Sequence, residues 1–473
     1  MKRIVWGILL LSCLPGSAKL PAQDHAPASP EARAILKQLI EINTTESAGS
    51  VTKAAESMAK RLLDAGFPQK DVIVAGPDER KKNLVVRLRG TGQRAPILFI
   101  GHLDVVEARR EDWSMDPFQF IEQDGNFYGR GTRDMKAGDA ILVMAFLRLK
   151  REAYQPDRDL ILALTADEET GDSNGVDWLL KEHKDWIDAQ YCINLDGGEF
   201  ERLNGARLLA GLQASEKVYS DYQFEATSSG GHSSVPGPDN AIYELAAALS
   251  KLEKFSFPVK LNEVTRGYFL QSANFASGTL AADLRGTAQQ PPNPSSIQHL
   301  SAIPYYNALL RTTCVATMLA GGHAPNALPQ SARATVNCRI FPGEDPEEVR
   351  KTLERIVADP HVKVTPVPQK TAGGRLIPIV AVPPSALVPE LTDALERTLS
   401  TMWSGMQIVP TMSTGATDGK YLRIAGIPTF GIACMFFDME DDRSHGRDER
   451  VGVQDFYDGV EFGYRFMKSL SSR

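Results

Sequence analysis

Histidines and carboxylates gather in five short stretches of this chain. GHLDVVEA (101–108) follows an apolar run and carries His102 and Asp104, GRGTRDMKAG (129–138) sets Asp134 at the mouth of a helix, and TADEETG (165–171) puts Glu168 beside Glu169. LDGG (195–198) offers Asp196 and SHGRDERV (444–451) offers His445. Residues two apart on an extended chain share a face, so His102 and Asp104 can meet at a strand end. That pair suits a metal ligand with its orienting partner, and equally a core histidine whose hydrogen bonds are satisfied. Together the stretches favour metal, because carboxylates crowded into one cleft repel and bound cations are the usual remedy. Two histidines with three or four carboxylates suit a pair of zinc ions about 3.5 Å apart, one carboxylate bridging. Cobalt or manganese accepts the same nitrogen and oxygen donors.

The elements that must position these groups are legible as alternating runs. Segments 83–89, 96–100, 160–165 and 191–195 read as strands, and 30–66, 137–150 and 173–182 as helical. Such alternation predicts an α/β sheet with helices on both faces, whose ligands sit at the carboxyl ends of its strands. From about residue 214 the pattern changes. Strands at 218–227, 332–341 and 362–366 with helices at 240–252 and 346–357 make a small open-faced α+β sandwich, and PPNP (291–294) marks an irregular insertion at about 266–304. The α/β pattern returns with a helix at 386–402 and a strand at 429–435. The boundaries expected are therefore a first domain over 30–213, an inserted domain over 214–370, and the rest of the first domain over 371–473.

With 473 residues, 42% of them apolar, the chain can bury a core of two-domain size. Residues 1–22 have the charged, apolar and small-residue parts of a secretory signal peptide, which implies export to the periplasm or outside the cell. Lipidation at Cys13 is the second reading. Loss of that segment, with Lys2, Arg3 and Lys19, takes the formal charge from −7 to −10, which speaks against nucleic acid as a partner. No later run is long and apolar enough for a membrane helix. Cys192, Cys314, Cys338 and Cys434 could form two disulfides, but their apolar settings and lack of short spacings favour buried free thiols.

The ordered set H-x-D-V-V, G-R-G-x-x-D-x-K, D-E-E-x-G, D-G-G, G-H-S-S-x-P (232–236 with its preceding glycine) and H-G-x-x-E resembles the di-zinc aminoacylase and carboxypeptidase family from about residue 35 onward. That family includes carboxypeptidase G, aminoacylase and succinyl-diaminopimelate desuccinylase. YNALLRTT (306–313), PNALP (325–329) and ATVNCRIFPG (334–343) look most like its carboxypeptidase S and N-acyl-amino-acid hydrolase branch. The resemblance implies a zinc-peptidase-like sheet sandwiched by helices, with an inserted ferredoxin-like α+β lid and dimerisation domain. It implies two zinc ions per chain: His102 and Asp196 on one, Glu169 and His445 on the other, Asp134 bridging. It further implies that Asp104 hydrogen-bonds the distal nitrogen of His102, that Glu168 is the general base, and that His232 stabilises the oxyanion, from the partner subunit in dimeric members.

Ala334, Val336, Cys338 and Ile340 form one strand face, which leaves Arg339 on the other, free to face a cleft. With Asn326 it resembles the pair that binds a substrate carboxylate, a task suited to the guanidinium fork. Gly415 is expected to line the pocket with a backbone donor, and the motifs give nearby Asp418 no ligand role. The activity these readings imply is metal-dependent hydrolysis of a peptide or N-acyl amide bond beside a free carboxylate, on small peptides or N-acyl amino acids. An aminoacylase performs the same chemistry. A binding protein that lost turnover would lack a ligand or the base, and an aminopeptidase would need an acid for the substrate amine.

Overall fold

In a computed structural model, the chain is described over residues 25–171, 173–203, 205–370, 376–377 and 379–472. The expected signal segment and Cys13 lie outside these residues.

Three strands, Leu160–Thr165, Ile97–His102 and Tyr191–Asn194, run parallel and buried through the centre of a ten-stranded mixed sheet. Their continuous apolar character follows from having both faces covered. Alternate side chains of one strand enter different cores: Ile97 and Phe99 join the larger one, Leu98 and Ile100 the smaller. The larger core is closed by helices Pro30–Glu41, Val51–Asp64, Lys136–Arg151, Pro389–Met402 and Val453–Ser471. Gly175–Glu182 and Gly419–Ile424 cover the other face. At about 1.5–3 kcal/mol for each fully buried aliphatic or phenyl side chain, these two layers supply the main driving force for the fold.

A second, antiparallel sheet carries Thr313–Gly321, Ser331–Ile340, Val218–Thr227 and Val362–Val367 in that spatial order. Helices Ala241–Lys254 and Pro346–Val357 cover one face, where Tyr222, Phe224, Val336 and Ile340 form a separate core. This is the inserted lid.

Two expectations need correction. Residues 263–310 are not irregular: they form helices Glu263–Ser272, Gly278–Ala288, Pro294–Ser301 and Pro304–Leu310. Of the PPNP prolines, Pro291 and Pro292 lie between helices while Pro294 opens one, capped by Asn293. Val264, Phe269, Leu284, Leu300 and Leu309 belong to the larger core, so this part of 214–370 packs on the main body rather than on the lid. Cys314 and Cys338, expected as free thiols, are disulfide-bonded. They face each other on adjacent lid strands with Cα atoms 4.1 Å apart, a proximity set by strand register that spacing along the chain does not reveal. Cys192 and Cys434 are buried and free.

Candidate active site

The carboxyl ends of the central strands deliver the site. His102 ends its strand, buried, with Nε2 3.1 Å from Asp134 Oδ1 and 4.0 Å from Asp196 Oδ2. Asp134 sits between the two histidines, its Oδ2 lying 2.9 Å from His445 Nε2. Glu169 Oε1 lies 3.2 Å from the same nitrogen, yet is buried without a hydrogen bond. Two donor groups therefore overlap at Asp134: His102 with Asp134 and Asp196, and Asp134 with Glu169 and His445, the atoms of each within 4.8 Å of one another. The buried Glu169 oxygen, facing the His445 nitrogen, and the convergence of lone pairs fit a pair of divalent cations sharing Asp134. Electrostatics agree. Burial, and then the neighbouring Asp134 and Glu169 charges working against the opposing pull of His102, hold the Asp196 carboxyl well above the usual range. Positive charge at this spot would relieve that repulsion.

Each group is held by backbone geometry written locally. Asp196 begins an Asp-Gly-Gly turn in which Gly198 adopts a φ of 67°, and a β-carbon there would come within 1.9 Å of the Gly431 carbonyl. Only glycine lets the turn close against strand Thr429–Gly431.

Asp104 departs from expectation. Its backbone carbonyl, not its carboxylate, accepts from His102 Nδ1 at 3.0 Å, while the carboxylate stands 3.8 Å away. The acceptor still fixes the tautomer that leaves Nε2 free to ligate. The carboxylate instead accepts the backbone N–H groups of Glu168 and Glu169 at 3.1 and 3.0 Å, so one aspartate orients two neighbours. The chain leaves regular strand geometry after His102, and the Asp104 carbonyl rather than its side chain meets the ring.

Glu449 was missed, although it is the last letter of the H-G-x-x-E stretch that carried it. Fully buried, it accepts from Arg130 Nη1 at 2.6 Å and from the backbone N–H groups of Gly131, Arg133 and Asp134 at 3.2, 2.7 and 3.0 Å. It holds the glycine-rich loop that presents Asp134. Glu449→Ala strands a buried guanidinium and is expected to lower the unfolding free energy by about 3–5 kcal/mol in urea titration. A loss under about 1 kcal/mol would contradict this role for Glu449. Asp418 accepts from Thr165 and Asn174, away from the donor groups, and anchors the loop below Glu168.

A cleft of about 480 Å³ opens over these residues, with Glu168 and Gly415 in its walls. The Gly415 N–H, expected as a free donor, is taken by Ser413 Oγ at 3.0 Å in a local turn. His232, Asn326 and Arg339 do not line this cleft. His232 lies on the exposed strand Gly231–His232, paired with Ala327–Leu328 beside Asn326, and Arg339 projects from the open lid face over the Tyr219 ring at 4.7 Å. All three therefore stand on the lid, apart from the donor groups.

Comparison with known proteins agrees with this architecture. Residues 98–469 match peptidase family M20/M25/M40. The human N-fatty-acyl-amino acid synthase/hydrolase is 27% identical over 96% of this chain and 91% of its own, and a probable carboxypeptidase S-like protein of Dictyostelium discoideum is 28% identical over 79% and 71%. The crystal structure of an M20 metallo-carboxypeptidase from Sulfolobus solfataricus superposes with a TM-score of 0.67 at 16% identity, covering 93% of this chain and 99% of that one. Human carnosine dipeptidase 1 superposes at 0.62 and 16% identity, covering 93% and 96%. With the family matched across most of the chain and the same fold in solved members, the protein belongs to peptidase family M20/M25/M40 and is a hydrolase of its peptidase and amidohydrolase kind.

Proposed function

We propose that this hydrolase holds two zinc ions and cleaves a peptide or N-acyl amide bond beside a free carboxylate. The reading rests above all on the two overlapping donor groups that share Asp134, with Glu168 in the same cleft. His102 and Asp196 would hold one ion, Glu169 and His445 the other. A bound pair of divalent cations supplies Lewis acidity and brings water towards neutral acidity. Glu168, aimed by the Asp104 carboxylate through its backbone, accepts the proton of the attacking water and returns it to the leaving nitrogen. Arg339 and Asn326 select the substrate carboxylate, and His232 steadies the oxyanion once the lid approaches. The expected outcome with metal-loaded enzyme is hydrolysis of N-acyl amino acids and dipeptides, and a rate loss of about 10²-fold or more on their carboxamides. Equal rates on both would remove the carboxylate requirement. Cobalt or manganese in place of zinc would appear in the metal analysis of purified protein.

The second part of the reading is a homodimer through the lid. Strand Thr313–Gly321 is the lid-sheet edge, with Met318 and Leu319 69% and 71% exposed and Tyr243 73% exposed on the helix beside it. An uncovered apolar edge of this kind is suited to pairing with another copy. In such a dimer the exposed His232 could serve the partner's cleft. Light scattering is expected to give a dimer, and Met318→Asp with Leu319→Asp a monomer. A monomeric parent at micromolar concentration would reject it.

Export is the localisation this reading carries, with a cleaved segment over 1–22 and lipidation at Cys13 as the second possibility. The Cys314–Cys338 bond supports it, since such bonds persist in oxidising compartments. Among the described residues no helix is long and apolar enough to cross a membrane.

A further inference from the structure

The helices at 263–310 do more than pad the core: Tyr268 and Tyr305 from this segment form a wall of the cleft, facing Glu199 and Glu201 beside strand Phe200–Leu203. The tyrosine rings meet edge-on with centroids 6.3 Å apart, and Tyr306 stacks obliquely behind Tyr305 at 5.7 Å. The wall is therefore firm. It is also acidic. Glu199 and Glu201 both line the cleft, Glu201 half-buried, and the Tyr306 hydroxyl behind them is buried without a partner. Arg133, the cation in the field of Glu201, is engaged elsewhere, paired with Asp442 at 3.0 Å and lying over the Phe437 ring at 3.8 Å. Burial first and Glu199 second push the Glu201 carboxyl up to about 7, against the pull of Arg133.

This inference rests on the proposed function above. If Arg339 and Asn326 on the lid take the substrate carboxylate, the wall built from the main body faces the other end of the substrate, its acyl group. A long alkyl chain there would cover carboxylates with hydrocarbon and leave them without water or a donor, a costly arrangement. An ammonium or amide N–H would instead pair with the Glu201 carboxylate.

We propose that Glu201, with Glu199, Tyr268 and Tyr305, forms an acyl-side subsite selecting a short acyl group that carries a hydrogen-bond donor, an aminoacyl group above all, over a long aliphatic chain.

The test compares kcat/KM of metal-loaded enzyme on alanyl-leucine, N-propionyl-leucine and N-dodecanoyl-leucine. The first two differ by one amino group. The parent is expected to favour alanyl-leucine over N-propionyl-leucine by about tenfold or more, as a hydrogen bond to a charged group allows. Glu201→Gln is expected to bring that ratio close to one, mainly through KM, and Glu199→Gln to lower it less. A parent that favours the propionyl or dodecanoyl substrate overturns the proposal without recourse to any variant, and so does a ratio that Glu201→Gln leaves unchanged. Alanyl-leucine amide separates the two readings: its hydrolysis at the rate of alanyl-leucine removes the carboxylate requirement while the acyl preference is judged on the ratio. No turnover of any of the three acids overturns both.

Discussion

Glu168→Ala is expected to lower kcat by about 10²–10⁴-fold while leaving metal content unchanged. The residue belongs to neither donor group, yet lines the cleft above them, its backbone N–H held by Asp104. Its carboxyl is held well above the usual range, chiefly by burial, with the opposing pull of His102 and the added push of Asp196. A half-buried carboxyl in the cleft wall among other carboxylates is suited to receive and return a proton, which a ligand committed to a cation is not. Glu168→Gln keeps the shape and removes the base, so its rate should fall by a similar factor. Plasma mass spectrometry beside steady-state kinetics checks both halves. A variant that loses its metal would turn Glu168 into a ligand, and one that keeps more than about a third of the rate would remove it from proton transfer.

Asp134→Ala should have the opposite signature, because this one carboxylate serves both donor groups. Its oxygens face different histidines at 3.1 and 2.9 Å, so its loss opens both sites at once. Metal content is expected to fall from about two equivalents to well under one, with activity lost in proportion. His445→Ala removes a ligand from one group only and should retain close to one equivalent. Dialysed variants analysed side by side decide the matter. Equal metal loss in both would mean that the two positions do not fill independently. Stability should follow occupancy, since metal at 100 times its dissociation constant stabilises the native state by about 2.7 kcal/mol, read as a higher unfolding temperature that chelation reverses.

The candidate site was legible where chemistry coincides with a strand end. His102, Asp134, Glu169, Asp196 and His445 each stand in a short stretch whose position relative to a strand or helix is encoded locally, and these side chains converge in the structure. The same local code outlined the central strands, the lid strand Val218–Thr227 and the lid helix Pro346–Val357. Period-two and helical periodicities state which side chains share a face, and that suffices to say which element ends near a cleft.

What periodicity does not carry is the pairing of segments far apart in the chain. The Cys314–Cys338 bond depends on the register of two lid strands, and Glu449 reaches the glycine-rich loop across more than three hundred residues. The path of the chain beyond His102 decided that a carbonyl orients the histidine and frees the Asp104 carboxylate to hold Glu168 and Glu169. The helices at 263–310 carry apolar faces whose destination, the larger core and one wall of the cleft, exists only once the sheet is assembled. Local patterning specified most of the elements, their buried faces and the chemical groups at their ends, the helices at 263–310 excepted. Tertiary packing decided which of those groups touch, because contact between distant segments is selected by the combined burial of the whole core and not by any local preference.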